Sequence, residues 1–340
     1  MNPSEFNAFL KENILFVDGA MGTMAQELNL EASYYGGEEL QMLQDILVLS
    51  HPDAVMDIHL QYFRAGANAV ETDTLCSSAL RLSEFDFAKM ELAKFPEQFN
   101  GKTLNQLSFP EISYLLSQRA AQIARKAIEQ YQNESEYNDR PLFVIGSLGP
   151  SNFVLSSTHA DLTKGEFNQV EQNFYDQTRG LIDGGADILL FETQQDILEL
   201  KAGVLGAKRA MKEKDVDLPI MAQVTVDPFA KMQIFNTDIV AAMTTLQDIG
   251  IHAFGINCGL GPDQMTVAVE RLSRYSRLPI SIIPNAGLPE SEGGKTVYKL
   301  TPESLAEQMN VFVKEFGVNI VGGCCGTTPE HIRCLVETIG

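Results

Sequence analysis

The chain contains no tryptophan, and its 340 residues include only five cysteines. A sparse, odd set of cysteines in a chain this long excludes a small disulfide-stapled scaffold. Basic residues are also scarce, 25 Lys and Arg against 45 Asp and Glu, which gives a formal net charge of −20. A field of that sign repels phosphate backbones and anionic lipid, so neither nucleic acid nor a membrane surface is an expected partner. No apolar run approaches the ~20 residues needed to cross a bilayer. The stretch Met1–Glu12 lacks the basic segment and apolar core of a secretory signal. The expectation is a cytoplasmic enzyme with reduced thiols.

What is present is repetition. Eight short apolar, β-branched runs recur: Ile14–Asp18, Ala69–Thr74, Leu142–Ser147, Ile188–Glu192, Ile220–Thr225, Ala253–Cys258, Ile280–Asn285 and Asn319–Cys324. Strands covered on both faces read as continuous apolar runs of this kind. Between them lie amphipathic stretches, among them Ala54–Ala65, Phe167–Asp183, Ile197–Lys212 and Met265–Tyr275. Several run into a glycine just before the next strand, at Gly66, Gly185, Gly250 and Gly317, the pattern of a helix cap followed by a short αβ loop. Eight strand–helix alternations in a chain of this length predict a single-domain α/β fold spanning residues 1–340, a (β/α)8 TIM barrel. An open, doubly wound sheet is the alternative. Its dinucleotide-binding form is disfavoured because no G-x-G-x-x-G follows the first strand.

One region departs from the repeat. Glu84–Glu111 is charged, rich in Phe and interrupted by Pro96 and Pro110. It reads as a βα-loop insertion ahead of a helix over Ile112–Gln130, either a docking surface for a partner or a solvated elaboration.

In such barrels the working residues sit at the C-terminal ends of the strands. Those ends gather Asp18, Glu71, Asp73, Glu192, Asn257 and three of the five cysteines, Cys258, Cys324 and Cys325. Cys76 and Cys334 read as small hydrophobes. An adjacent pair alone is ambiguous, and a redox pair is the competing reading. A third cysteine at another strand end favours one metal taking all three sulfurs as catalytic and metal-binding ligands. Thiolates favour zinc, and three protein ligands leave one tetrahedral position open. Three thiolates give the site a net charge of about −1, a poor setting for hydrolysis but a good one for holding a fourth, electron-rich thiolate. The expected chemistry is attack of a bound thiolate on an electrophilic carbon. The carboxylates suit the ammonium group of an amino-acid substrate, and the N–H groups of the loop Gly19, Ala20, Met21, Gly22 and Thr23 suit its carboxylate. For each acid the plainer reading is a structural hydrogen bond.

The runs DGAMGT (Asp18–Thr23), ETDT (Glu71–Thr74), GSLGP (Gly146–Pro150), GINCGLGPD (Gly255–Asp263), PNAGLP (Pro284–Pro289) and VGGCCGTTPEHI (Val321–Ile332) resemble, in order, the homocysteine S-methyltransferase family. The likeness is in particular to the homocysteine-binding module of cobalamin-dependent methionine synthases. It implies a (β/α)8 barrel with Zn2+ on Cys258, Cys324 and Cys325. It also implies homocysteine bound to zinc through sulfur, its polar end near Asp18, Glu192 and the loop Asp18–Thr23, and methionine as product. The family often carries Asn where this chain has Asp73. The folate- and corrinoid-binding modules of the full-length synthase are not in this sequence. Three expectations follow: those modules are separate proteins or subunits, the donor differs, or the chain is an excised module. Under the first, the donor is methylcobalamin or another methylcorrinoid on a partner protein, not held tightly by this chain. The alternatives are S-methylmethionine or betaine as donor, or a non-catalytic thiol- or zinc-binding subunit.

Overall fold

The computed structural model describes residues 1–156, 164–293 and 295–340. Eight parallel strands form one sheet: β1 (Leu15–Phe16), β2 (Ala69–Glu71), β3 (Phe143–Leu148), β4 (Ile188–Gln194), β5 (Ile220–Val224), β6 (Ala253–Asn257), β7 (Ile280–Ile283) and β10 (Ile320–Val321). The order β1-β10-β7-β6-β5-β4-β3-β2 leaves one seam, between β1 and β2. A parallel bridge pairs Val17 with Ala69 across it. Backbone bonds from Asn68 to Phe16 (2.7 Å) and from Asp18 to Ala69 (3.0 Å) complete the barrel. The remaining strands, β8 (Glu290–Glu292) and β9 (Lys295–Val297), form an antiparallel hairpin after β7.

Among the described residues, twelve α-helices accompany the sheet: α1 (Pro3–Glu12), α2 (Met21–Glu27), α3 (Leu47–Ser50), α4 (Pro52–Arg64), α5 (Ala79–Leu82), α6 (Phe109–Tyr131), α7 (Phe167–Gly184), α8 (Ile197–Lys214), α9 (Ile239–Ile249), α10 (Pro262–Tyr275), α11 (Pro302–Phe316) and α12 (Pro329–Ile339). Each barrel strand is followed by one long helix of the outer ring, namely α4 and α6 to α12. The four glycines read as caps all take positive φ, between 70° and 108°. That is the left-handed geometry that ends a helix and turns the chain back to the sheet.

The apolar residues divide into two cores. The larger lies between sheet and helices. The smaller fills the barrel, with Leu15, Val17, Ile145, Ile188, Leu190, Met221 and Ile320 from the strands. Helix α1 brings Phe6 and Leu10 to this inner core. An Asn2–Glu5 capping box begins that helix, satisfying its first free N–H groups. No helix among the described residues is long and apolar enough to cross a membrane.

The segment 84–111 is not loose. Phe87, Met90, Phe95 and Leu104 are buried, and Glu111 caps α6 through Ser108. The segment braces the first βα loop: Glu91 N–H donates to Gly36 O (2.8 Å), Lys89 pairs with Glu39 (3.1 Å), and Lys94 lies 4.1 Å from the Tyr34 ring centre. Its phenylalanines are therefore packing residues. Helix α6 begins at Phe109, earlier than the expected Ile112, because Ser108 is the cap and Pro110 is tolerated in the first turn.

Candidate active site

A cavity of about 420 Å³ opens at the C-terminal end of the barrel. Cys324, Cys325, Glu71, Glu192, Asn257 and the loop Gly19–Thr23 line it. Cys258 joins the other two sulfurs, all three within 4.8 Å of one another. The Cys258–Cys325 separation is 3.8 Å and the Cys324–Cys325 separation is 4.0 Å. These are nearly twice a disulfide bond of about 2.05 Å. Zinc–sulfur bonds of about 2.3 Å place tetrahedral ligands about 3.8 Å apart. The spacing and the donor chemistry therefore fit a zinc ion.

The backbone is bent to make this possible. Cys258 takes φ +58°, a left-handed conformation that costs a non-glycine residue free energy and marks functional positions. Its N–H donates to Ile283 O (3.2 Å), and Cys324 N–H donates to Pro284 O (2.7 Å). The turn after Cys324 is pinned by the Thr327 hydroxyl, which donates to Cys324 O (2.7 Å) and accepts from Ala20 N–H (3.2 Å). Thr23 Oγ1 accepts from Gly326 N–H (3.1 Å), tying the first loop to the last. Hydrogen bonds from the Cys258 and Cys324 thiols hold the Cys325 thiol down to about 3. A bound cation would displace the protons that the thiols keep.

The acids occupy distinct positions. Glu192 sits at a bulge where the β4–β5 register shifts between Phe191 and Gln194, and Thr193 beside it has φ +58°. The Ser147 hydroxyl donates to Glu192 Oε1, and Asn257 Nδ2 donates to Oε2 (3.3 Å). Asn257 Oδ1 also accepts from Thr193 N–H (2.7 Å), so Asn257 is fixed from both ends. Burial pushes the Glu192 carboxyl up to about 7, against the Ser147 bond that lowers it and with the Cys325 charge that raises it. Glu71 is raised well above the usual range by burial and by the charges of Glu192 and Asp18. Asp18 lies below the cavity floor, 2% exposed. Its carboxylate accepts from Glu71 N–H at 3.1 and 3.2 Å, bridging the barrel seam.

Several lining residues carry no signal in the sequence. Tyr298, just after β9, lines the cavity beside Cys325, and its phenol helps to lower the Cys325 thiol. Burial, then the Cys325 charge, raises that phenol. The Tyr298 ring lies over Gly326, where an added Cβ would meet it at 2.2 Å. Gln44 and Asp45 come from a loop of short 3-10 turns, which shows no periodicity to read. Asp73 lines the cavity as well. So does Cys76, whose thiol is pushed up to about 12 by burial and then by Asp45. Cys76 is thus a neutral wall residue, with Asp45, Arg81 and Asp73 as its charged neighbours. Cys334 lies on α12, in the outer ring.

A barrel with three sulfurs gathered at one end of an acid-lined cavity narrows the class, and the sequence match agrees with it: residues 15–339 match the homocysteine S-methyltransferase family, and the chain belongs to that family. It is 36% identical over 330 residues to a methionine synthase of Mycobacterium tuberculosis, an alignment covering 97% of this chain and 25% of that protein. The match to a methionine synthase of Mycobacterium leprae is also 36% identical, over 97% of this chain and 24% of the relative. The chain thus spans about a quarter of the length of these relatives. Its fold is that of the metallated homocysteine methyltransferase MmuM from Escherichia coli, with a TM-score of 0.73 over 99% of both chains at 22% identity.

Proposed function

We propose that the protein transfers a methyl group to the thiol of homocysteine, giving methionine, with Cys258, Cys324 and Cys325 holding zinc. The observation that carries this reading is the tetrahedral spacing of the three sulfurs at a cavity whose other charged lining side chains are all carboxylates. Zinc held there by Cys258, Cys324 and Cys325 would favour the thiolate form of a substrate thiol whose ordinary pKa is near 8.5.

The chain's own residues then orient the substrate. Glu192, held by Ser147 and Asn257, and Glu71 attract the ammonium group. The loop Gly19–Thr23 offers backbone N–H groups to the carboxylate. Asp18 supports Glu71 through its backbone N–H. Tyr298 covers Cys325 from the hairpin side. In the reaction a bond forms between the homocysteine sulfur and the methyl carbon, and the donor departs with the electron pair of the bond that breaks.

The donor we favour is a methylcorrinoid such as methylcobalamin, carried by a partner protein or by further modules of a longer chain. Two facts support it: the relatives that match at 36% identity carry the name methionine synthase and are four times as long. The βα loops at this end of the barrel also expose Met42 (83%) and Phe229 (75%), apolar side chains suited to a docked partner. S-methylmethionine is the second reading, favoured by the absence of any basic side chain among the described lining residues. Betaine is disfavoured: quaternary ammonium groups are usually recognised by several aromatic faces, and Tyr298 is the one aromatic residue among those lining the cavity.

The test is methionine formation by zinc-loaded protein from homocysteine and free methylcobalamin, with the corrinoid spectrum followed in parallel. Turnover with concurrent loss of the methylcorrinoid spectrum supports the favoured donor. Turnover only with S-methylmethionine moves the assignment to the second. Inactivity with free and protein-bound methylcorrinoid and with S-methylmethionine rejects the activity.

A further inference from the structure

Asp45 and Asp73 stand apart from the acids used above. Both line the cavity together with Gln44 and Cys76, and they are 3% and 7% exposed. Asp45 is anchored: its Oδ2 accepts from Cys76 N–H (2.7 Å) and from the Ser77 hydroxyl (2.8 Å). The charge of Arg81, itself paired with Glu84, lowers the Asp45 carboxyl against the burial that raises it. Asp73 has no such support. Its Oδ2 is buried without a hydrogen-bond partner, and the influences on its carboxyl are burial and the charge of Asp45, both of which raise it. A buried, unpartnered carboxylate that feels the charge of a second carboxylate lining the same cavity is unfavourable in an empty site. It becomes favourable when a cation that can donate hydrogen bonds sits between the two. At about 420 Å³ the cavity is in the size range of sites for drug-sized ligands, larger than one amino acid of eight non-hydrogen atoms requires.

We propose that Asp45 and Asp73 form an ammonium-binding subsite of this cavity, which takes the α-amino group of an amino-acid ligand. The inference rests on the methyltransfer reading for the identity of the ligands. A primary ammonium fits because the orphaned Oδ2 needs a hydrogen-bond donor, which a sulfonium or quaternary ammonium centre lacks. The amino group has two sources, which the same variant separates: an amino-acid methyl donor, with the homocysteine ammonium left to Glu192 and Glu71, or the thiol substrate itself, in which case Asp45 and Asp73 replace Glu192 and Glu71 as the partners of its ammonium.

The experiment is calorimetric binding to zinc-loaded wild-type protein and to Asp73→Asn, which keeps the shape and removes the charge. The probes are homocysteine, 4-mercaptobutyrate (the same thiol and carboxylate without the amino group) and S-methylmethionine. Tenfold or greater loss of homocysteine affinity in the variant, with 4-mercaptobutyrate unchanged, assigns the subsite to the thiol substrate. Unchanged homocysteine binding with tenfold weaker S-methylmethionine binding assigns it to a donor. The variant is also expected to keep its zinc and to melt at or above the wild-type temperature, since a buried repulsion has been removed. Unchanged affinity for both amino acids, or equal loss for homocysteine and 4-mercaptobutyrate, overturns the subsite. So does failure of wild-type protein to bind either amino acid. A wild-type protein that binds them through Asp73 but forms no methionine refutes the activity and leaves the subsite standing.

Discussion

The two ends of the barrel are built from the same eight strands and do opposite things. At the N-terminal end the inner core contains apolar side chains, and α1 adds Phe6 and Leu10 to it. At the C-terminal end the strands stop early, and their last residues present sulfur, carboxylate and amide groups to a cavity. Thr193 and Cys258, at the cavity end, both take positive φ. One end lowers the free energy of the fold, and the other spends some of it on placing groups that repel one another. The general division between a stabilising face and a working face of such barrels is thus visible in individual residues.

The sharpest test of this division is Cys325→Ala. It is expected to abolish both stoichiometric zinc and methionine formation, while far-ultraviolet circular dichroism stays that of the folded barrel. Retention of metal and activity would remove the central claim about the site. At the other end, Phe6→Ala deletes a side chain with no exposure and should cost about 3–5 kcal/mol in denaturant unfolding. Below its melting transition the variant should bind zinc and homocysteine as the wild type does. Altered zinc stoichiometry in a folded Phe6→Ala protein would show that the two ends are coupled.

Within the working end, Glu192→Ala is expected to raise the homocysteine KM roughly 10- to 100-fold, the weight of a charge-assisted hydrogen bond, with zinc content unchanged. An unchanged KM would make Glu192 a support for Asn257 and nothing more. The smallest effect concerns neither end. His59, on α4, is fully buried with both ring nitrogens unpartnered, and burial lowers its pKa from 6.5 to about 3. The unfolded chain takes up this proton below about pH 6.5 and the folded chain does not until about pH 3. Its contribution to stability is therefore complete above pH 6.5 and declines as pH falls, by about 1.4 kcal/mol per pH unit. Unfolding free energies between pH 7 and 5 should fall more steeply for wild type than for His59→Leu, by about 2 kcal/mol at pH 5. Parallel profiles would mean that His59 is neutralised in some other way.

The barrel was readable because its signals are redundant. All eight apolar runs are strands, and all four glycine caps take the left-handed geometry expected of them. The sulfur triad was readable for a related reason: the ends of buried strands converge, so residues distant in sequence meet by topology alone. What was not readable lies on loops and edges. The β8–β9 hairpin has three residues per strand, those of β8 exposed, too short for alternation to register, yet it delivers Tyr298. The loop carrying Asp45 folds by 3-10 turns whose pattern is local. The Phe-rich segment 84–111 looked like surface because its packing partners are elsewhere in sequence. Asp18 was recognisable as a strand-end acid, but that it lies under the floor follows from the seam it bridges.

That seam has a consequence for the order in which the site can come into being. Cys324 and Cys325 follow β10, which is held between β7 and β1, and Cys324 lies 66 residues beyond Cys258. The three sulfurs therefore meet only when the last strand has inserted beside the first. During synthesis the amino-terminal part emerges and folds earlier, so a nascent chain that has made Cys258 still lacks a site. Metal capture, if the three sulfurs hold zinc as proposed, would in this sense report that the ring has closed, and the bound zinc would draw folding towards the closed form by mass action.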